Sequence, residues 1–115
     1  MSNILSKEFW TQLRTTTRAR GDGKGMCADW CEDALKDPDI QLVFHEEQAV
    51  LGEIQIDQYA TSLLVHHWLE GIVKGRRYVA DGTAGQFTQE HIEGFYDFID
   101  KAPESLKVIY QRDAT

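Results

Sequence analysis

Apolar residues near the N-terminus fall at Ile4, Leu5, Phe9, Trp10 and Leu13, a spacing that predicts an amphipathic helix from about Ile4 to Arg18. Gly21-Asp22-Gly23-Lys24-Gly25 then places three glycines in five residues, a tightly turned or flexible loop. A second helix is predicted from about Met26 to Lys36, ended by Pro38. Gln41 to His45 reads as a short strand, with Leu42, Val43 and Phe44 as its apolar side chains. From Glu46 to Asp57 the pattern decides little, since only Ile54 and Ile56 alternate. Ser62 to Val73 and Arg76 to Asp81 are strand-like runs around Lys74-Gly75, a tight hairpin turn with Gly75 taking the positive φ. Thr88 reads as an N-cap for a helix from Gln89 to about Lys101, with Ile92, Phe95, Phe98 and Ile99 at helical spacing. Pro103 would stop it, and Leu106 to Tyr110 reads as a last strand, at a sheet edge or beside the hairpin. This order of elements predicts one α+β domain over residues 1–115, helices packed on a small antiparallel sheet.

Composition narrows the function classes. With 42% hydrophobic and 27% charged residues in 115, the chain has the makeup of a folded domain with its own core. A net charge of −7 opposes binding to nucleic acid, which needs a basic face, and to an anionic membrane surface. The apolar runs, such as Ser62 to Val65, fall far short of the ~20 residues of a membrane span. Lys7 and Glu8 follow the first residues at once, so no signal peptide is read and the cytosol of the producing cell is expected, with export lacking a cleaved signal left open.

Two cysteines, Cys27 and Cys31, are too few for a disulfide framework. Cys27 follows the glycine loop at a predicted helix start. Free amides and the positive end of a helix dipole there stabilise a thiolate and can receive negative charge developing on a carbonyl oxygen. Cys31, one turn further in, has neither advantage and reads as a buried thiol.

The hairpin supplies partners. If Lys74 and Gly75 are the two turn residues, Val73 faces Arg76, Trp68 faces Asp81 and His66 faces Thr83. His66 and Asp81 then share a face as diagonal neighbours with Cβ atoms at ~7 Å, within reach of a direct hydrogen bond, while His67 points the other way. Cys27 as nucleophile, His66 as base and Asp81 as orienting group form the expected constellation.

These residues carry a resemblance. Gly25-Met26-Cys27-Ala28-Asp29-Trp30-Cys31 is similar to the cysteine-helix motif of the papain-like and transglutaminase-like superfamily. His66-His67-Trp68-Leu69-Glu70 resembles its histidine strand, and Tyr78-Val79-Ala80-Asp81-Gly82-Thr83 the strand whose aspartate completes the triad. The match spans about Gly25 to Phe87, and its short cysteine-to-histidine interval looks most like the compact papain-like domains of bacterial toxins and effectors, glutamine deamidases among them. The resemblance implies a papain-like core and a cysteine hydrolase or acyltransferase with a Cys27–His66–Asp81 triad. It would act on a protein substrate, without a cofactor, by glutamine deamidation, with peptide-bond cleavage next and transamidation third. A toxin would be delivered into a target cell and would have a cognate immunity protein. The chain departs from the family in having Gly82 where many members have proline. Papain-like proteases also place a glutamine upstream of the cysteine, where only Gln12 is available; Gln86 follows the triad and reads as a turn residue.

Two other classes compete. Cys27, Cys31, His45, His66 and His67 could ligate zinc, but adjacent histidines on a strand point to opposite faces, so no metal is expected. A non-enzymatic immunity or inhibitor protein would use its acidity, clustered at Asp29, Glu32, Asp33, Asp37 and Asp39, against a basic toxin; a solvated helix face is the ordinary explanation of that cluster.

Overall fold

A computed structural model describes residues 4–90 and 92–111. It is α+β, a four-stranded antiparallel sheet in the order β1-β2-β3-β4 with helices on both faces. The strands are β1 (Phe44–Asp57), β2 (Ala60–Val73), β3 (Arg76–Asp81) and β4 (Phe95–Phe98); the helices are α1 (Lys7–Arg14), α2 (Cys27–Ala34), α3 (Pro38–Val43) and α4 (Glu104–Tyr110). No helix among the described residues is long and apolar enough to cross a membrane.

Alternation along the strands divides the core in two. Phe44, Leu69, Tyr78, Ala80 and Tyr96 pack with Trp10, Trp30, Cys31, Ala34 and Ile40, so one face is covered by the first three helices. Their strand neighbours Trp68 and Val79 pack with Leu106, Ile109 and Tyr110 of α4 on the other face. Trp10 stacks on Tyr96 with ring centroids 5.7 Å apart, which fixes α1 against β4.

The predicted hairpin forms with the expected register, Val73 opposite Arg76 through Leu69 opposite Ala80. Lys74 and Gly75 both take positive φ, 53° and 74°, the turn whose twist matches that of its strands. Both helices expected in the first third are shorter, Lys7–Arg14 and Cys27–Ala34.

Three expectations are corrected. Residues Gln41 to Val43 lie in α3 rather than in a strand. Pro38 opens that helix: the Asp37 carboxylate accepts from the amides of Asp39 and Ile40, and proline's missing N–H costs nothing at the first helical position. Among the described residues from Gln89 to Lys101 the predicted helix is replaced by β4 and a 3-10 turn (Ile99–Lys101). β3 needs an edge partner, and Phe95–Phe98 supplies it, Asp81 opposite Phe95 and Tyr78 opposite Phe98. Leu106 to Tyr110 belongs to α4 rather than to a strand; Leu106, Ile109 and Tyr110 face the core while Val108 is 47% exposed.

Candidate active site

The β2–β3 ladder ends at Leu69 and Ala80, so β2 runs on past the end of β3. α2 enters the notch between them and brings Cys27, its first residue, to the edge of β2. The thiol lies 3.9 Å from the Val65 carbonyl oxygen. It also receives the backbone amides of His67 and Ala28 and meets the imidazole of His66.

The glycine loop sets that position. Gly21, Gly23 and Gly25 all have positive φ, between 58° and 76°. A Cβ on Gly23 would lie 2.5 Å from the Thr83 side chain, so the loop seats directly against the segment following Asp81. Arg14, 5% exposed, clamps the two together: its Nε donates to the Gly82 carbonyl at 2.5 Å and Nη2 to the Gly21 carbonyl at 2.6 Å. Gly82 itself lies under the Trp30 indole, leaving no room for a side chain.

His66 is fully buried, and its Nε2–H donates to Asp81 Oδ2 at 2.7 Å. Its Nδ1 is buried without another hydrogen-bond partner, leaving that nitrogen for the thiol. The ring is held edge-on by Phe87 at 4.4 Å and stacked by Trp68 at 5.8 Å. Asp81, also fully buried, further accepts from the Tyr110 hydroxyl at 2.7 Å and from the Thr83 amide at 3.1 Å. A buried carboxylate with three such donors is held in one orientation and stays compensated.

Charge follows from these contacts. Burial works against protonated His66, but the charge and hydrogen bond of Asp81, with the adjoining thiol, raise its pKa to about 9. Burial also opposes ionisation of Cys27, and is outweighed by His66 and by the His67 and Ala28 amides, so its pKa falls below its ordinary value. The pair therefore favours thiolate and imidazolium. Cys31 is the opposite case: fully buried in the core, its pKa is driven up by desolvation and nearby negative charge.

The structure thus brings together all three residues singled out in the sequence. His67 points away and bonds Glu46 at 2.7 Å. Gln12 is an exposed residue of α1, the inward one being Arg14. Gln86 lies in a 3-10 turn (Ala84–Phe87), its amide nitrogen buried without a partner. Trp30 and Trp68 are core residues. Among the described residues no three His, Cys, Asp or Glu side chains gather as metal ligands. Much of the acidic cluster is met by Arg18, which pairs with Asp29, Glu32 and Asp33 at 3.0–3.3 Å.

Arg14 and Tyr110 were not singled out. Arg14 had a signal, since it lies four residues after Trp10 on the buried side of α1. Tyr110 had none, because α4 was expected as a strand. It is held in place by Arg77, which donates to the Tyr110 carbonyl at 2.8 Å while paired with Glu70 at 2.9 Å.

Neither a family model, nor a curated protein, nor a solved structure matches the chain.

Proposed function

We propose that this chain is a thiol-dependent acyl-transfer enzyme with a papain-like or transglutaminase-like core, of the compact toxin and effector kind, acting on a protein substrate. The observation that carries the reading is one chain of contacts: an accessible, acidified Cys27 thiol, His66 beside it, and Asp81 on the far nitrogen of that imidazole at 2.7 Å.

The chemistry follows from the charges. The Cys27 thiolate attacks a carbonyl carbon, and the amides at the start of α2 receive the developing oxyanion. The C–N bond breaks as imidazolium His66 gives its proton to the departing nitrogen, leaving a thioester on Cys27. Water then attacks the thioester, His66 takes a proton from it, and the carboxylate product leaves as the thiolate is restored. Asp81 keeps the imidazole in the required tautomer throughout. No step calls for a cofactor.

Among acyl donors we favour a glutamine carboxamide, which makes the leaving group ammonia, in line with the resemblance to deamidase-like toxin domains. As a toxin or effector the protein would act in a target cell and be held in check by a cognate immunity protein. The test is incubation with an unfolded, glutamine-rich protein, followed by mass mapping, for wild type and Cys27→Ala. Expected is conversion of carboxamides to acids with wild type alone. Chain cleavage would instead assign proteolysis, amine incorporation transamidation, and no Cys27-dependent product under any condition would remove the enzymatic reading.

A further inference from the structure

β1 and β2 continue as a two-stranded arm beyond the body of the sheet. β3 covers β2 only from Leu69 to Val73, so its edge from Ala60 to Trp68 lies beyond the reach of β3. About eight residues of each strand project, or roughly 25 Å at ~3.3 Å per residue, in keeping with overall extents of 51 × 28 × 27 Å. A lone two-stranded ribbon is marginal in water, yet this one exposes Ile54, Ile56, Tyr59, Leu63 and Leu64, with Tyr59 at 88%.

Three features describe what the arm fits. The first is charge: residues 37–73 contain seven acidic side chains and neither lysine nor arginine, and Glu53 and Asp57 lie on the arm itself. With a net charge of −7, a second copy of the chain is repelled from this surface. The second is strand regularity. Both irregularities of the arm, between Val50 and Gly52 and between Gln55 and Asp57, fall on β1, while β2 runs unbroken from Ala60 to Val73. Bulges spoil an edge for pairing, so β2 is the edge that remains competent. In a hairpin with a two-residue turn the flanking residues, Val73 and Arg76, form a hydrogen-bonded pair, so Gly71 and Leu69 also turn their main-chain groups toward β3, and Leu63 and Thr61, of the same parity, present theirs along that edge. The third is direction. Leu64 and, across the ladder, Ile54 lie on the face that carries His66, so the apolar strip leads to the site.

We propose that the arm docks an extended segment of the substrate protein in which basic residues alternate with apolar ones. The segment adds as a strand to the open edge of β2 at Thr61 and Leu63. Its apolar side chains cover Leu64 and Ile54, and its lysines or arginines, on the opposite face, meet Glu53, while Asp57, across from Ala60 near the tip of the arm, adds attraction at longer range. This rests on the reading of Cys27 as acting on a protein, and it makes the arm, rather than the cleft alone, the source of specificity.

The test uses two synthetic peptides around a central glutamine, one alternating lysine with valine and leucine, the other with glutamate in place of lysine. Binding is followed by backbone amide NMR shifts of the full chain carrying Cys27→Ala. Expected are shifts concentrated at residues 52–65 with the lysine peptide, and about tenfold weaker binding in the Glu53→Lys, Asp57→Lys double variant. Equal binding of the glutamate peptide, shifts elsewhere on the molecule, or a dimer built through the arm at working concentration would overturn the proposal. Cys27 alkylation in the protein with its cysteine and its arm charges both intact separates the two readings. Reactive Cys27 with no docking removes the arm proposal, whereas docking beside an unreactive Cys27 removes the catalytic reading.

Discussion

Cys27 and Cys31 sit one helical turn apart and have opposite chemistry. The first meets His66 and two backbone amides at the mouth of a notch; the second is sealed in the core. Iodoacetamide at neutral pH is therefore expected to label Cys27 and leave Cys31 unmodified in the folded protein, as peptide mapping would show. Labelling of both at similar rates would mean that the core opens. Asp81→Asn removes the charge that holds the imidazolium while nearly conserving shape. We expect it to lower turnover about 10³–10⁴-fold and to move the Cys27 pKa upward, both read from rate–pH profiles. Cys27, His66 and Asp81 were legible in the sequence for local reasons, a glycine loop before a helix and a two-residue turn that fixes parity. Arg14 and Tyr110 were not, because nothing local to them records that Gly82 or Asp81 is the partner.

At the scale of elements, the glycine loop and α4 do the positioning. Gly23→Ala introduces a Cβ at positive φ and against Thr83, where the contact would be 2.5 Å. A loss of about 2 kcal/mol in unfolding free energy is expected, with slower Cys27 alkylation as the helix start is pushed off its seat. Tyr110→Phe deletes one of the donors to a buried carboxylate and should cost about 1.5–3 kcal/mol in denaturant titrations while sparing the fold. The hairpin was readable because Lys74-Gly75 leaves few alternatives. The C-terminal elements were not, since Leu106, Val108 and Tyr110 fit a strand's alternation as well as 106, 109 and 110 fit a helix. Likewise Ile92, Phe95 and Ile99 have helical spacing, yet the bare edge of β3 takes Phe95–Phe98 as a strand. Tertiary pairing overrode local periodicity there. Asp37-Pro38 did carry its own signal, an N-cap followed by proline at the first helical position, against the reading of proline as a stop.

For the molecule as a whole, the buried His66–Asp81 pair links folding to pH. The folded protein holds a proton on His66 up to about pH 9, whereas an unfolded histidine releases it near 6.5. That contribution is complete below pH 6.5 and is lost as pH rises toward 9. Unfolding free energy of Cys27→Ala, which removes the thiol's own titration, should also fall as pH rises above 6.5, by roughly 1–3 kcal/mol, over a narrower window because the thiol's part in raising the His66 pKa is lost with it. A rise or a flat profile would mean that the histidine is buried neutral. The central claim, that Cys27 is a nucleophile activated by His66, is met most directly by its alkylation rate as a function of pH, in wild type and in His66→Ala. The account predicts a fast reaction whose apparent pKa lies well below ~8.5 and returns toward it in the variant. A Cys27 no faster than a free thiol, or a profile indifferent to His66→Ala, would contradict it.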